Sequence, residues 1–238
     1  MKPFKFKQFI VEQDRCAMKI GTDGILLGAW VALNNPFSIL DIGAGTGIIA
    51  LMLAQRSNAK LIDAIEIEES AYEQCVENFE NSPWADRLFC YHASLDEFVE
   101  ETGDEKYDLI ISNPPFFVPN KKEAGLPENR KKARFQDSLS FEDLVAYASQ
   151  LLTDAGEFAV IIPYSEEEKF IQTAQNYNLF PKYITRVRGT ENSAIKRSLL
   201  QFSFAEKSVE VKELVLEISR HQYTDAFKKL VKDFYLKL

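Results

Sequence analysis

Short apolar runs alternate with helical segments along most of this chain, and that alternation restricts its fold more than any other feature. The runs are residues 38–42, 61–67, 87–92, 107–112 and 157–162, with two further strands expected at 182–187 and 198–204. Between them, 48–56 reads as an apolar helix and 69–80 as an amphipathic one. A short helix follows at 95–101, and another is expected at 141–152, N-capped by Ser140 and ended by Gly156. A helix at 166–177 completes the series. Strands joined through helices return parallel to one another and need cover on both faces. The expected architecture is therefore α/β: a doubly wound, seven-stranded, mostly parallel sheet with helices on both faces.

In such a sheet, ligands bind outside the carboxyl ends of the strands. Two of those ends have unusual chemistry. The first strand runs into Asp41-Ile42-Gly43-Ala44-Gly45-Thr46-Gly47, where Gly43, Gly45 and Gly47 let backbone approach a ligand closely. The spacing is G-x-G-x-G, which differs from the dinucleotide fingerprint. Glu66, at the end of the second strand, is a carboxylate that can take both hydroxyls of a ribose. The strand at 107–112 ends in Asn113-Pro114-Pro115-Phe116. Prolines carry no N–H, so they continue neither a ladder nor a helix, and the residue before them is held extended. What remains is a stiff cluster of acceptors beside an aromatic ring, suited to a planar group bearing an N–H₂.

Charge and composition narrow the partners. The net charge is −8, and residues 57–112 hold three basic and fifteen acidic side chains. Residues 1–20, 113–136, 180–200 and 219–238 are each net basic. An acidic body with basic segments can hold a phosphate backbone on one face, because local potential governs encounter. Residues 117–139 lack periodicity and contain Lys121, Lys122, Arg130, Lys131, Lys132 and Arg134, which marks a substrate loop directly after the Asn-Pro-Pro turn. Cys16, Cys75 and Cys90 form neither a disulfide framework nor a metal cluster, and His92 and His221 stand apart. No metal and no membrane partner are expected, and a reducing cytoplasm is the default compartment. The chain reads as one domain, with a lead-in at 1–37 and a terminal helix within 219–238 that carries Phe227, Leu230, Val231, Phe234 and Tyr235 at helical spacing.

The glycine loop, Glu66 and the Asn-Pro-Pro-Phe tetrad together resemble the class I S-adenosylmethionine-dependent methyltransferases. The resemblance implies that the loop lies against the methionine part of the cofactor and that Glu66 holds its ribose. It places Ser94, where many members have Asp, beside the adenine. The tetrad is similar to that of enzymes methylating exocyclic or amide nitrogens, which assigns catalysis to Asn113, Pro114 and Phe116. Phe6-Lys7-Gln8-Phe9, the segment from Met18 through Thr22 and Asp23 to Trp30, and the ending from Tyr223 resemble one bacterial subfamily. Its members methylate N6 of adenine 37 in the anticodon loop of tRNA1(Val). This implies that Thr22 and Asp23 cap the cofactor pocket, that the basic loop meets tRNA phosphates, and that the enzyme is a monomer. Ribosomal RNA or DNA adenine, and a protein glutamine, remain alternative substrates; an RNA-binding module that keeps the cofactor site is the non-enzymatic one. The short lead-in and the Phe at 116 disfavour glutamine.

Overall fold

The computed structural model describes residues 2–16, 18–115 and 139–237. Phe116 and the whole basic loop from Lys121 to Arg134 lie outside the described residues. A short hairpin, β1 (Phe4–Lys5) with β2 (Ile10–Val11), precedes helix α1 (Thr22–Trp30). Then follow β3 (Ser38–Ile42), α2 (Ile48–Arg56), β4 (Leu61–Glu66), α3 (Glu69–Glu80), β5 (Leu88–His92), α4 (Leu95–Thr102) and β6 (Tyr107–Ser112). The second half contains α5 (Phe141–Leu151), β7 (Leu152–Pro163), α6 (Glu167–Asn176), β8 (Phe180–Arg188), β9 (Ile195–Ser203) and β10 (Glu210–Val215). A hairpin, β11 (Glu217–Ser219) with β12 (Gln222–Tyr223), and helix α7 (Asp225–Val231) close the chain.

Among the described residues the main sheet has the order β10-β8-β9-β7-β6-β3-β4-β5, and only β9 runs against its neighbours. It has eight strands rather than the expected seven. The addition is β10, whose Glu210-Val211-Lys212-Glu213 carries charge on an exposed edge. Edge strands are commonly charged, which blocks further pairing and also hides their apolar signal.

Alternation along the strands sends side chains to two cores. Ile39, Leu109, Ile111, Ala159, Ile161 and Leu199 join the layer under α1 and α2. Leu40, Ile42, Ile110, Phe158, Val160, Ile162 and Phe202 join the opposite layer, which includes Leu144 and Phe170 of α5 and α6. Each fully buried side chain of this size contributes about 1.5–3 kcal/mol, so the two layers fix the register far more firmly than turn chemistry does. Gly156 is not the stop for α5, because β7 already begins at Leu152. It instead sits where the parallel ladder of β6 and β7 slips register between Tyr107 and Leu109: an added Cβ would stand 2.8 Å from the Tyr107 carbonyl oxygen.

The lead-in climbs the outside of the molecule. Phe6 stacks on Phe9 at 4.6 Å and bridges to Tyr235, while the Lys7 N–H donates to the Phe234 carbonyl at 2.8 Å. Thus both chain termini pack on the same core layer. The following residues run along α3: Glu12 N–H donates to Asn78 Oδ1 at 2.8 Å and Arg15 N–H to Gln74 Oε1 at 3.1 Å. Since α3 starts at the carboxyl end of β4, this path leads upward to that end of the sheet, where α1 begins.

Gly47 is the tightest point of the glycine turn. Its φ is +76°, and an added Cβ would stand 2.5 Å from Phe79 Cε1 and 2.8 Å from Cys75 Sγ. Gly47→Ala combines left-handed strain with overpacking, so it should destabilise the fold by on the order of 3 kcal/mol. Urea unfolding against the wild type measures this directly.

Candidate active site

β3 is buried along its whole length, and the order of connections reverses beside it. Successive strands go one way through β4 to β5, then resume on the other side at β6. The crevice that opens outside such a reversal is bordered by the turns after β3 and β6. Those turns are the glycine loop and Asn113-Pro114-Pro115. The Ser112 hydroxyl donates to the Ile42 carbonyl at 2.8 Å, which ties the two strand ends together.

The glycine loop is held by its neighbours. The amides of Gly43 and Ala44 both donate to the Ile65 carbonyl at 3.0 Å. Gly43 and Gly45 have φ of +74° and +56°, and an added Cβ at either would meet nothing within 4 Å. Their backbone therefore faces open space. Glu66 stands at the end of β4 with both oxygens anchored. Gly45 N–H donates to Oε2 at 2.8 Å and Glu68 N–H to Oε1 at 2.9 Å. Two backbone donors orient the carboxylate, and its remaining lone pairs stay available for hydroxyl groups.

Asp41 is fully buried under this loop. Ala50 N–H, in the first turn of α2, donates to Oδ2 at 3.2 Å, whereas Oδ1 has no partner among the described residues. Burial pushes its pKa up to about 7; the Ala50 amide opposes this and the nearby Glu66 charge adds to it. An orphaned buried carboxylate oxygen suits a cationic ligand group.

The other expected site residues divide. Asn113 is half-buried and Pro114 buried at the lip. Thr22 and Asp23 start α1, and the next residue, Gly24, is so close that an added Cβ would lie 4.0 Å from Asn113 Nδ2. The structure thus brings α1 to the crevice. Asp23 Oδ2 accepts from Arg197 Nε at 2.8 Å, an ion pair absent from the sequence reading. Ser94 caps α4: its Oγ donates to Glu97 Oε2 at 2.7 Å, and its N–H donates to the same oxygen at 3.0 Å. That capping box uses the hydroxyl for helix initiation. Ile67 was read only as the end of a strand. It is 60% exposed directly beside Glu66, an apolar surface at the crevice mouth.

Known proteins resemble this chain in sequence and in fold. Residues 30–175 match the family model "Methyltransferase small domain". Full-length relatives include the tRNA1(Val) (adenine(37)-N6)-methyltransferase of Christiangramia forsetii, 64% identical over 100% of this chain and 99% of the relative. The enzyme of the same name from Bacteroides fragilis is 42% identical over 99% of this chain and 98% of its own length. Among solved structures, a predicted O-methyltransferase from Agrobacterium tumefaciens aligns with TM-score 0.69 at 20% identity, over 89% of this chain and 96% of that one. A 16S rRNA N2 methyltransferase of T. thermophilus, in complex with AdoMet and guanosine, aligns with TM-score 0.58 at 17% identity. It covers 85% of this chain and 50% of that one, and at these identities both structures speak for the fold alone.

Asp41 makes the pH dependence of stability a test of this site. Its folded pKa is raised above the ordinary aspartate value, so the folded state holds a proton that the unfolded chain has lost. Between the two values, stability falls as pH rises. Asp63 adds a slope of the same sign: burial lifts it to about 6, although the Tyr107 hydroxyl donates to it at 2.6 Å. Asp41→Asn should therefore reduce the stability lost between pH 5.5 and 7.5 by about 1–2 kcal/mol, as read from urea unfolding at the two pH values.

Proposed function

This chain belongs to the methyltransferase small domain family and, within it, to the tRNA1(Val) (adenine(37)-N6)-methyltransferases, and from that membership we propose that it methylates N6 of adenine 37 in tRNA1(Val). Its cofactor is S-adenosylmethionine. The observation that carries the reading is the crevice between β3 and β6, with a cofactor-type cradle on one wall and Asn113-Pro114 on the other.

The residues present fit the cofactor. Gly43 and Gly45 offer open backbone, Glu66 an oriented carboxylate for the ribose hydroxyls, and Asp41 a buried oxygen for a cation. Ile67 supplies apolar surface for the adenine beside Glu66, and Ser94 contributes through its place at the end of β5 rather than through a free hydroxyl. S-adenosylmethionine supplies a methyl group carried on a sulfonium.

The work of the other wall is to make an amino nitrogen react. The N6 lone pair of adenine is delocalised into the ring and is a poor nucleophile. Asn113 Oδ1 and the Pro114 carbonyl each accept one N6–H, which favours a pyramidal nitrogen. As the nitrogen gains positive charge, these fixed acceptors stabilise it without reorganising. Phe116 stacks on the base and holds it in line. The surplus proton then leaves to water. Adenine 37 lies in a single-stranded loop, where a base can be splayed into a pocket at little cost. Lys121, Lys122, Arg130, Lys131, Lys132 and Arg134 follow the tetrad in sequence and take the phosphates of that loop. The setting is the cytoplasm, with the enzyme acting as a monomer.

Asn113→Ala should lower methyl transfer to tRNA1(Val) by about 10²–10³-fold while cofactor and tRNA affinities stay near wild type. Labelled transfer followed by nucleoside analysis of the tRNA reads this out. Label in a protein glutamine instead of N6-methyladenosine would overturn the substrate; full transfer by the variant would overturn the role of Asn113. Reversing the charge of Lys131 and Lys132 together should weaken tRNA binding and flatten its salt dependence, with cofactor affinity unchanged.

A further inference from the structure

The lip of the sheet continues past the crevice through the ends of β7, β9 and β8. β7 outruns β6: Ser112 pairs with Val160, and the ladder with β9 continues to Pro163 opposite Arg197. The next residue, Tyr164, opens a 3-10 turn, Tyr164–Glu166, that packs on β9. Tyr164 is 38% exposed. The Arg186 guanidinium carbon lies over that ring, 5.5 Å from its centroid. Arg186 is itself clamped, donating from Nε and Nη2 to the buried Glu167 at 2.7–3.2 Å, and the Ser198 hydroxyl also donates to that carboxylate. Partial exposure is ordinary for a tyrosine taken by itself. This one is braced by a fixed cation and left open at the lip.

Lys196, the second residue of the neighbouring strand β9, is exposed and without an ion pair among the described residues. The surrounding charge is lopsided. The β4–β5 end of the lip carries Glu66, Glu68, Glu69, Asp96 and Glu97, whereas the β8–β9 end carries Arg186, Arg188, Lys196 and Arg197. Asp23, Glu167 and Glu213 pair with Arg197, Arg186 and Arg188, and Glu166, Glu168 and Glu191 lie nearby, but no carboxylate among the described residues pairs with Lys196. A polyanionic strand is repelled by the uniformly acidic first end and less so by the second, where the charges are mixed and Lys196 is open.

We propose that Tyr164, braced by Arg186 and flanked by Lys196, binds an unpaired nucleotide of the RNA strand next to the target adenine. The base stacks on the open part of the Tyr164 ring and its phosphate meets Lys196. Neighbouring strands are about 4.8 Å apart and Tyr164 stands three residues, at about 3.3 Å each, beyond the level of Asn113, which puts this site roughly 11 Å from Asn113, on the path of the strand that carries the target base. An aromatic ring beside cations is the ordinary means of holding single-stranded nucleic acid without reading its sequence. The inference rests on the RNA substrate proposed above.

The test is the affinity of the full-length protein for tRNA1(Val) transcript, with kcat and S-adenosylmethionine affinity measured alongside. Tyr164→Ala and Tyr164→Leu should each weaken tRNA binding about tenfold, leave kcat at saturating tRNA unchanged and leave cofactor affinity unchanged. Tyr164→Phe should restore binding. Lys196→Ala should lower the slope of log affinity against log salt by about one. Tyr164→Leu keeps apolar bulk, so it carries the test if the alanine variant does not fold. Wild-type affinity in Tyr164→Leu overturns the site, as does an equal loss of cofactor affinity. If the wild-type protein transfers no methyl group to tRNA, the substrate reading fails instead; if it does and Tyr164→Leu is unchanged, only this site fails.

Discussion

The reversal of strand order beside β3 is the constraint on which the rest of the molecule depends. Right-handed crossovers on either side of that strand send α2 and α3 to one face and α5 to the other. No helix can then cover the gap between the ends of β3 and β6. That uncovered gap is the crevice. The buried layers on both faces hold it open, because closing it would mean unpacking Ile39 and Ile111 from one core or Leu40 and Ile110 from the other.

Much of this was legible in the sequence, for a physical reason. Central parallel strands are buried on both faces and read as continuous apolar runs, so β3, β6 and the apolar stretch of β7 stood out. α2 and α3 were bounded correctly because their apolar periodicity and flanking residues agree. β10 was missed because an exposed edge strand has one buried position, Leu214, among charged ones. The β1–β2 hairpin was missed because two-residue strands have no period to detect; a partner 229 residues downstream, Tyr235 opposite Phe6, is what fixes it. At the site, glycines, prolines and a carboxylate at strand ends announce themselves by residue type. The Arg197–Asp23 pair and the Tyr164–Arg186 stack do not, since each depends on strands that meet only after folding.

Ser94 shows how a residue can stand in the expected place with its chemistry already committed. Its hydroxyl and amide are both bonded to Glu97, and without them the first turn of α4 would lose its cap. Glu66 differs although it too is bonded by backbone amides. A carboxylate has about four acceptor positions, and the two amides take only two of them. Counting lone pairs, rather than noting proximity, separates a residue that builds the pocket from one that can still bind within it.

The same counting explains why the two walls of the crevice can be set against each other with precision. Methyl transfer needs donor and acceptor aligned to within a fraction of an ångström, and long side chains on loops hold such alignment poorly. Here the proposed cofactor wall is mainly backbone of the glycine loop, pinned to Ile65, and the proposed acceptor wall is a proline-stiffened turn leaving β6. Between them, β3 and β6 pair directly, Ile42 opposite Ser112, and the Ser112 hydroxyl adds a bond to Ile42 at the last rung. The separation of the walls is therefore one strand spacing, fixed by the ladder itself. Asn113 can then be exchanged without moving the glycine-loop wall opposite, because the spacing belongs to the sheet and not to the side chain.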